Sequence, residues 1–316
     1  MNEPNGADSA LLAVLDALAS RGYRFTTVTP ATHAKVLARD PGREGRTLAD
    51  VFGWSLPFSR DAIDADLFRL LEQSDALIGE NGNRFRSRYR VSTHDGLYLL
   101  HSSYPTTAED AVFFGPDSMR FAAVIAQHLP DLPPGARIAD YGTGTGVGGL
   151  VAARAAGRKV DLALCDINPA ALRLAATNAA HAGIAAQLLR LASPGDLPEG
   201  LDLVVTHPPF MMDDRKRTYR DGGDMLGARL SYDWAMAAAE RLAPGGHVIM
   251  HTGTSIAAGT DLLKDALTDA TATRGWSLDY REVEQDYYAE ELDTPAYRDA
   301  GVERIAMVAA VIGKPA

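Results

Sequence analysis

The chain has 316 residues, 46% of them hydrophobic and 23% charged, with a formal net charge of −10 at neutral pH. That length carries a sizeable core and suggests two domains, while the acidic balance argues against a broad phosphate-tracking surface, although a local basic patch survives it. A single cysteine, Cys165, excludes an internal disulfide and suits a reducing compartment, where it is expected as a small buried side chain on a strand.

Glu3, Asp8 and Asp16 precede the first cation, Arg21, so the start lacks the basic end of a signal peptide. No apolar run approaches the roughly 18 residues of a membrane span, and a cytoplasmic protein is expected. Residues 1–8 read as a polar lead, with Asp8 or Ser9 capping a helix whose Leu11, Leu12, Val14, Leu15 and Leu18 form one apolar face. A second helix follows Thr32, a loop spans residues 39–45, and a short helix covers 47–52. Residues 61–71 place Ile63, Leu67, Leu70 and Leu71 at helical spacing behind an acidic first turn.

Residues 84–91 alternate, with Arg84, Arg86, Arg88 and Arg90 on one face and Phe85, Tyr89 and Val91 on the other. Asp95-Gly96 is a two-residue turn signal and Leu97-Tyr-Leu-Leu100 returns, which predicts a β-hairpin. Helices followed by a hairpin predict a winged-helix-like module over residues 1–110, covering the site of a second domain at 111–316. The arginine face either meets an anion or nucleic acid, or is a solvated face paired with nearby acids. Asp61, Asp64 and Asp66 on the preceding helix would repel a phosphate backbone, so nucleic acid is the less favoured partner.

Phe113-Phe-Gly-Pro-Asp-Ser118 precedes a helix of Phe121, Val124, Ile125 and Leu129, with Asp117 and Ser118 placed as caps. From residue 137 onward strands and helices alternate. The strands are expected at about 137–141, 160–165, 186–191, 201–206, 246–252, 276–284 and 303–312. The helices are expected at about 147–157, 168–182, 229–242 and 260–273. The pattern predicts an α/β fold with a mostly parallel sheet covered by helices on both faces.

Three strand ends carry the chemistry. Ile138-Ala139 leads into Asp140-Tyr-Gly-Thr-Gly-Thr-Gly146 and a small-residue helix, a strand, glycine turn and helix that bring backbone close to a ligand. By itself such a turn also suits a dinucleotide. Leu162-Ala-Leu-Cys165 ends in Asp166, where a carboxylate accepts ribose hydroxyls. Leu201-Asp-Leu-Val-Val-Thr206 runs into His207-Pro208-Pro209-Phe210, whose prolines lock the chain and remove two amide donors.

Together these pieces resemble class I S-adenosylmethionine methyltransferases of the methyltransferase-small group, which includes protein-glutamine N5- and rRNA guanine-N2-methyltransferases. His-Pro-Pro-Phe stands where that group has Asn-Pro-Pro-Tyr/Phe, Leu242-Ala-Pro-Gly-Gly246 also fits, and the resemblance covers about residues 113–311. It implies a Rossmann-like seven-stranded sheet, mixed through a final reversed pair, and S-adenosylmethionine as cofactor. The turn of Gly142, Thr143, Gly144 and Gly146 would hold the methionine part and Asp166 the ribose. Asp140 would order the loop or bond the amino group. Phe114, Asp117, Tyr141, Ile167 and Ser193 complete the candidate cofactor set, while adenine recognition stays unassigned among Ala192, Ser193 and Asp196.

The implied acceptor site holds His207, Pro208, Pro209, Phe210 and Tyr219. An imidazole has one donor and one acceptor, so it does not copy a carboxamide, but it takes a proton near neutral pH. His207 is then a general base, a hydrogen-bonding clamp, or a brace for the loop. Arg215, Lys216, Arg217 and Arg220 either clamp an acidic substrate or form a solvated lid. Asp286-Tyr-Tyr-Ala-Glu-Glu291 is expected at the surface, with the pocket rim as the alternative. His94, His101, His128, His181, His247 and His251 show no metal-ligand spacing, and no metal is expected. The expected acceptor is a nitrogen or oxygen of a small molecule or protein side chain, with RNA methylation or intramolecular cyclisation of the cofactor as rivals.

Overall fold

The computed structural model describes residues 6–213, 217 and 220–316. In chain order it begins with α1 (Gly6–Ser20), α2 (Pro30–Leu37), α3 (Leu48–Phe52), β1 (Phe58–Ser59), α4 (Ala65–Gln73), β2 (Leu77–Glu80), β3 (Arg84–Ser87), β4 (Tyr89–His94) and β5 (Leu97–Ser102). Next come α5 (Pro116–His128), β6 (Arg137–Tyr141), α6 (Val147–Ala155), β7 (Asp161–Asp166), α7 (Pro169–His181), β8 (Ala186–Arg190) and β9 (Leu201–Thr206). Last are α8 (Arg229–Glu240), β10 (Leu242–Ala257), β11 (Thr260–Asp261), α9 (Leu262–Arg274), β12 (Ser277–Glu284), α10 (Pro295–Asp299) and β13 (Val302–Gly313). Contacts divide the chain into two units: the described residues up to Met119 with 144–147 and 168–185, and residues 120–143, 148–167 and 186–316.

In the first unit, Leu11, Val14, Leu15 and Leu18 of α1 pack with Phe52, Phe58, Leu67, Phe68 and Leu71 and with Ala171 and Leu174 of α7. The apolar spacing read from the sequence is the face that is buried. α1 begins at Gly6, upstream of the two residues expected to cap it. α2 starts at Pro30 behind Thr29, whose hydroxyl accepts from Thr32 N at 3.2 Å. Thr47 and Asp50 form a reciprocal capping box on α3.

The arginine strand is not continuous. β3 sits between β1 and β2, whereas β4 pairs with β5 alone. Ser87 explains the break, because its hydroxyl donates to Tyr89 O at 2.6 Å and accepts from Tyr89 N, a local turn that competes with the ladder. Arg84, Arg86 and Arg88 pair with Glu44, Glu80 and Asp75. Beyond the turn the alternation resets, and Arg90 is 3% exposed instead of sharing their solvated face. The single-hairpin wing expected from the sequence is thus divided between two sheets.

The second unit is built on a sheet of order β12-β13-β10-β9-β6-β7-β8, with β11 on the end of β10. From β8 to β10 the strands are parallel, and β13 runs antiparallel to both β10 and β12. Only β13 is therefore reversed, not the final pair. Ala235 and Ala239 of α8 and Leu263 and Leu267 of α9 cover one face, against Ala139, Val204, Val248 and Val308. α6 lies on the other, where a Cβ on Gly148 would meet the Phe121 ring at 2.5 Å and one on Gly149 would meet Leu164 at 2.7 Å. The unit is an α/β Rossmann-like sheet, and its strand order reverses between β6 and β9. Ligands of such sheets bind beyond the strands' carboxyl ends at that point. Among the described residues no helix is long and apolar enough to cross a membrane.

Candidate active site

β6 ends in Asp140 and Tyr141 beside β9, and Thr206 Oγ1 donates to Tyr141 O at 2.9 Å, which ties the two strand ends together. Asp140 is 1% exposed. Its Oδ2 accepts from Thr143 Oγ1 at 2.7 Å and from Gly149 N at 2.8 Å, so it links the glycine turn to the first turn of α6. Burial pushes its carboxyl up to about 6, against the pull of those two donors. Gly142 has φ +70°, and a Cβ there would stand 2.6 Å from the Trp234 indole. Trp234 in turn packs edge-on against Tyr141 at 4.5 Å, a wall of the turn that the sequence did not single out. The amides of Gly142 and Thr143 both donate to Cys165 O, at 2.9 and 3.0 Å, which directs them to β7. Further along, Thr145 O accepts from Asn178 Nδ2 at 2.9 Å, another anchor missed from sequence.

Cys165 is fully buried and its thiol is pushed up to about 12 by burial, as suits a packing residue. Asp166 closes β7, with Ile167 after it 48% exposed. Asp166 O accepts from Leu191 N, so the ends of β7 and β8 meet there. The Ser193 hydroxyl, on an exposed residue, accepts from Gly195 N at 3.1 Å. In the first unit, Phe114 is fully buried with its ring 5.5 Å from that of His101. It exposes no surface to a ligand, contrary to its place in the candidate set. Asp117 lies within α5, not ahead of it, and its Oδ1 accepts from Ser118 N at 2.9 Å.

His207 follows β9 directly. Its Nδ1 is 2.7 Å from the carbonyl oxygen of His251 on β10. A carbonyl only accepts, so Nδ1 carries the proton and Nε2 is the lone-pair nitrogen of the neutral ring. His251 Nδ1 is 3.3 Å from His207 Nδ1 and shares that proton as a second acceptor. Phe121 stacks on the His207 ring at 5.5 Å with an interplanar angle of 22°. His251, which no metal spacing flagged, is brought in by β10 lying parallel to β9, with Met250 opposite Thr206.

Phe210 turns back onto β10, where a Cβ on Gly253 would fall 2.2 Å from its ring. Its other neighbours are Met211, Tyr297, Ile305 and Met307, and Tyr288 lies 6.0 Å away. Tyr287 packs edge-on against Tyr288, and the Arg120 guanidinium lies 4.6 Å over the Tyr287 ring while pairing with Glu284. The segment after β12, expected at the surface, thus borders the Pro-Pro-Phe turn. Arg217 and Arg220 both pair with buried Asp213, and Arg220 also pairs with Glu291 at 2.6 Å. Tyr219, Arg215 and Lys216 lie outside the described residues.

Asp140, Tyr141, Gly142, Thr143, Asp166 and His207 therefore share the carboxyl edge of the sheet at the switch point. The model of the methyltransferase small domain family matches residues 108–274, just over half the chain. The release factor glutamine methyltransferase of Cereibacter sphaeroides is 34% identical over 139 residues, 39% of this chain, and the chain spans 48% of that relative's length. Among solved structures, Trm5b of Pyrococcus abyssi aligns over 80% of this chain and 68% of its own, at 13% identity and a TM-score of 0.49. A SAM-dependent O-methyltransferase of Thermotoga maritima aligns over 78% and 82%, at 14% identity and a TM-score of 0.42. With its glycine turn, its strand-end carboxylates and more than half its length matched, this chain belongs to the methyltransferase small domain family.

Proposed function

We propose that the protein is an S-adenosylmethionine-dependent methyltransferase whose acceptor is a nitrogen or oxygen of a protein side chain or small molecule, with His207 as its general base. The residues fit the cofactor: Gly142 at φ +70° folds the turn back onto β7, and Asp166 offers a carboxylate at the end of β7. Bound there, the cofactor would supply an electrophilic sulfonium methyl group. Asp140 keeps the turn in shape through Thr143 and Gly149. Phe210 and Tyr288 lie side by side beyond the Pro-Pro turn, with ring centroids 6.0 Å apart.

One observation carries the assignment of the base. The His251 carbonyl accepts from Nδ1–H of His207, which places the lone pair of the neutral ring on Nε2, the atom that would take the proton of the acceptor's N–H or O–H. A ring held from behind in this way loses little orientation when the acceptor arrives. A protein amide acceptor is supported by the glutamine methyltransferase relative, whose sequence match is the strongest pointer to an acceptor class.

The test incubates the protein with S-adenosylmethionine, alone and with glutamine-containing peptides, and identifies products by mass spectrometry. S-adenosylhomocysteine together with a peptide heavier by one methylene supports the reading. Methylthioadenosine formed without any acceptor would replace it with cyclisation or lyase chemistry.

A further inference from the structure

The first unit holds a charged side chain that methyl transfer does not use. Arg90 is 3% exposed, and its Nε donates to Ser102 O at 3.2 Å. Among the described residues it makes no ion pair, whereas Arg84, Arg86 and Arg88 each have one. A guanidinium has five N–H groups, and burying it with a single carbonyl acceptor is costly unless something else meets the charge. Its terminal nitrogens are not among the sealed polar atoms, so the exposure it retains reaches the end of the fork.

The groups around Arg90 bring no negative charge. His101 stands directly opposite it in the β4–β5 register, so the two side chains leave the same face of the hairpin. His101 Nε2 is 2.8 Å from Ser92 Oγ and 3.4 Å from Thr27 Oγ1. His33 stacks on Tyr104 with ring centroids 4.1 Å apart. Its Nε2 lies 3.1 Å from Trp54 O, which places the proton on Nε2 and a lone pair on Nδ1. The Nδ1 atoms of His33 and His101 are buried with no hydrogen-bond partner among the described residues. Burial first, and then the charge of Arg90, push His33 down to about 4 and His101 well below the usual imidazole range, so both rings are neutral. Tyr23, which donates to Val91 O at 2.8 Å, and Tyr104 are the other titratable groups near the guanidinium.

We propose that Arg90, with His33, His101 and Tyr104 around it, forms a binding site for the carboxylate of a small organic acid. One fixed positive charge matches one carboxylate, and the planar fork meets it with two parallel N–H donors. A phosphate dianion fits less well, because it would set excess charge and more acceptors against two neutral imidazoles. The site lies wholly within the first unit and does not depend on the methyl-transfer reading.

Titration of the full chain with sodium acetate at constant ionic strength, followed by the Arg90 Nε–Hε and histidine ring resonances, tests the proposal. A saturable shift of these signals is expected, weaker with inorganic phosphate and absent in Arg90→Gln. Should Arg90→Gln not fold, Tyr104→Phe is expected to weaken the acetate shift several-fold while Arg90 still responds. No saturable shift in the parent, phosphate binding more tightly than acetate, or an unchanged response in a folded Arg90→Gln would each overturn it.

Discussion

Gly253→Ala tests the acceptor-side wall. A Cβ at this position would lie 2.2 Å from one Phe210 ring carbon and 2.4 Å from the next, where ordinary van der Waals contact begins near 3.4 Å. The ring has to retreat by more than an ångström, yet Met211, Tyr297, Ile305 and Met307 already pack behind it and leave it 7% exposed. Overpacking of this kind costs about 1–3 kcal/mol. Urea denaturation should show that loss, and the displaced ring should lower kcat/KM for the acceptor. Cofactor affinity measured by calorimetry should hold, since Gly253 lies on β10, away from the glycine turn. Adding Phe210→Leu should restore most of the stability without restoring turnover. A Gly253→Ala protein with parental stability and parental kinetics would refute the placement of Phe210.

Three further outcomes are expected. His207→Asn removes Nε2 and should reduce kcat about 10²–10⁴-fold with cofactor affinity kept; an Asn variant with the parental rate would end the base assignment. Asp166→Ala should weaken S-adenosylmethionine by roughly 1.5–3 kcal/mol in calorimetry, and unchanged affinity would remove it from the ribose site. Asp140→Asn reads out a buried proton: the folded carboxyl titrates at about 6 against 3.8 unfolded, so its contribution to stability is full below 3.8 and lost as pH rises through about 6. Between pH 4 and 7 the parent should lose about 2–2.5 kcal/mol relative to Asp140→Asn in urea melts, and parallel pH dependences would show that Asp140 is not so shifted.

The sequence by itself determined the alternation of strands and helices in the second unit and the strand ends on which the candidate site residues sit. Strands such as Leu203-Val204-Val205 are buried on both faces and read as unbroken apolar runs. The glycine turn, Asp166 and His207 were legible because a loop after a strand needs particular residue types to take its shape. The turn at Asp95-Gly96 was legible for the same local reason.

What the tertiary structure alone decided are the partners drawn from distant strands and helices. His251 reaches His207 because β10 lies beside β9 across 44 residues of chain, and Trp234 closes on Gly142 from α8. Gly253 and Tyr288 define where Phe210 rests, yet neither carries a local signal. Arg90 shows the limit most directly. Its alternation placed it with three solvated arginines, and a serine turn at Ser87 sent it into the interior instead. Periodicity tells which side of a strand a residue takes only while the strand stays in one sheet, and pairing between sheets is settled by contacts that sequence spacing does not encode.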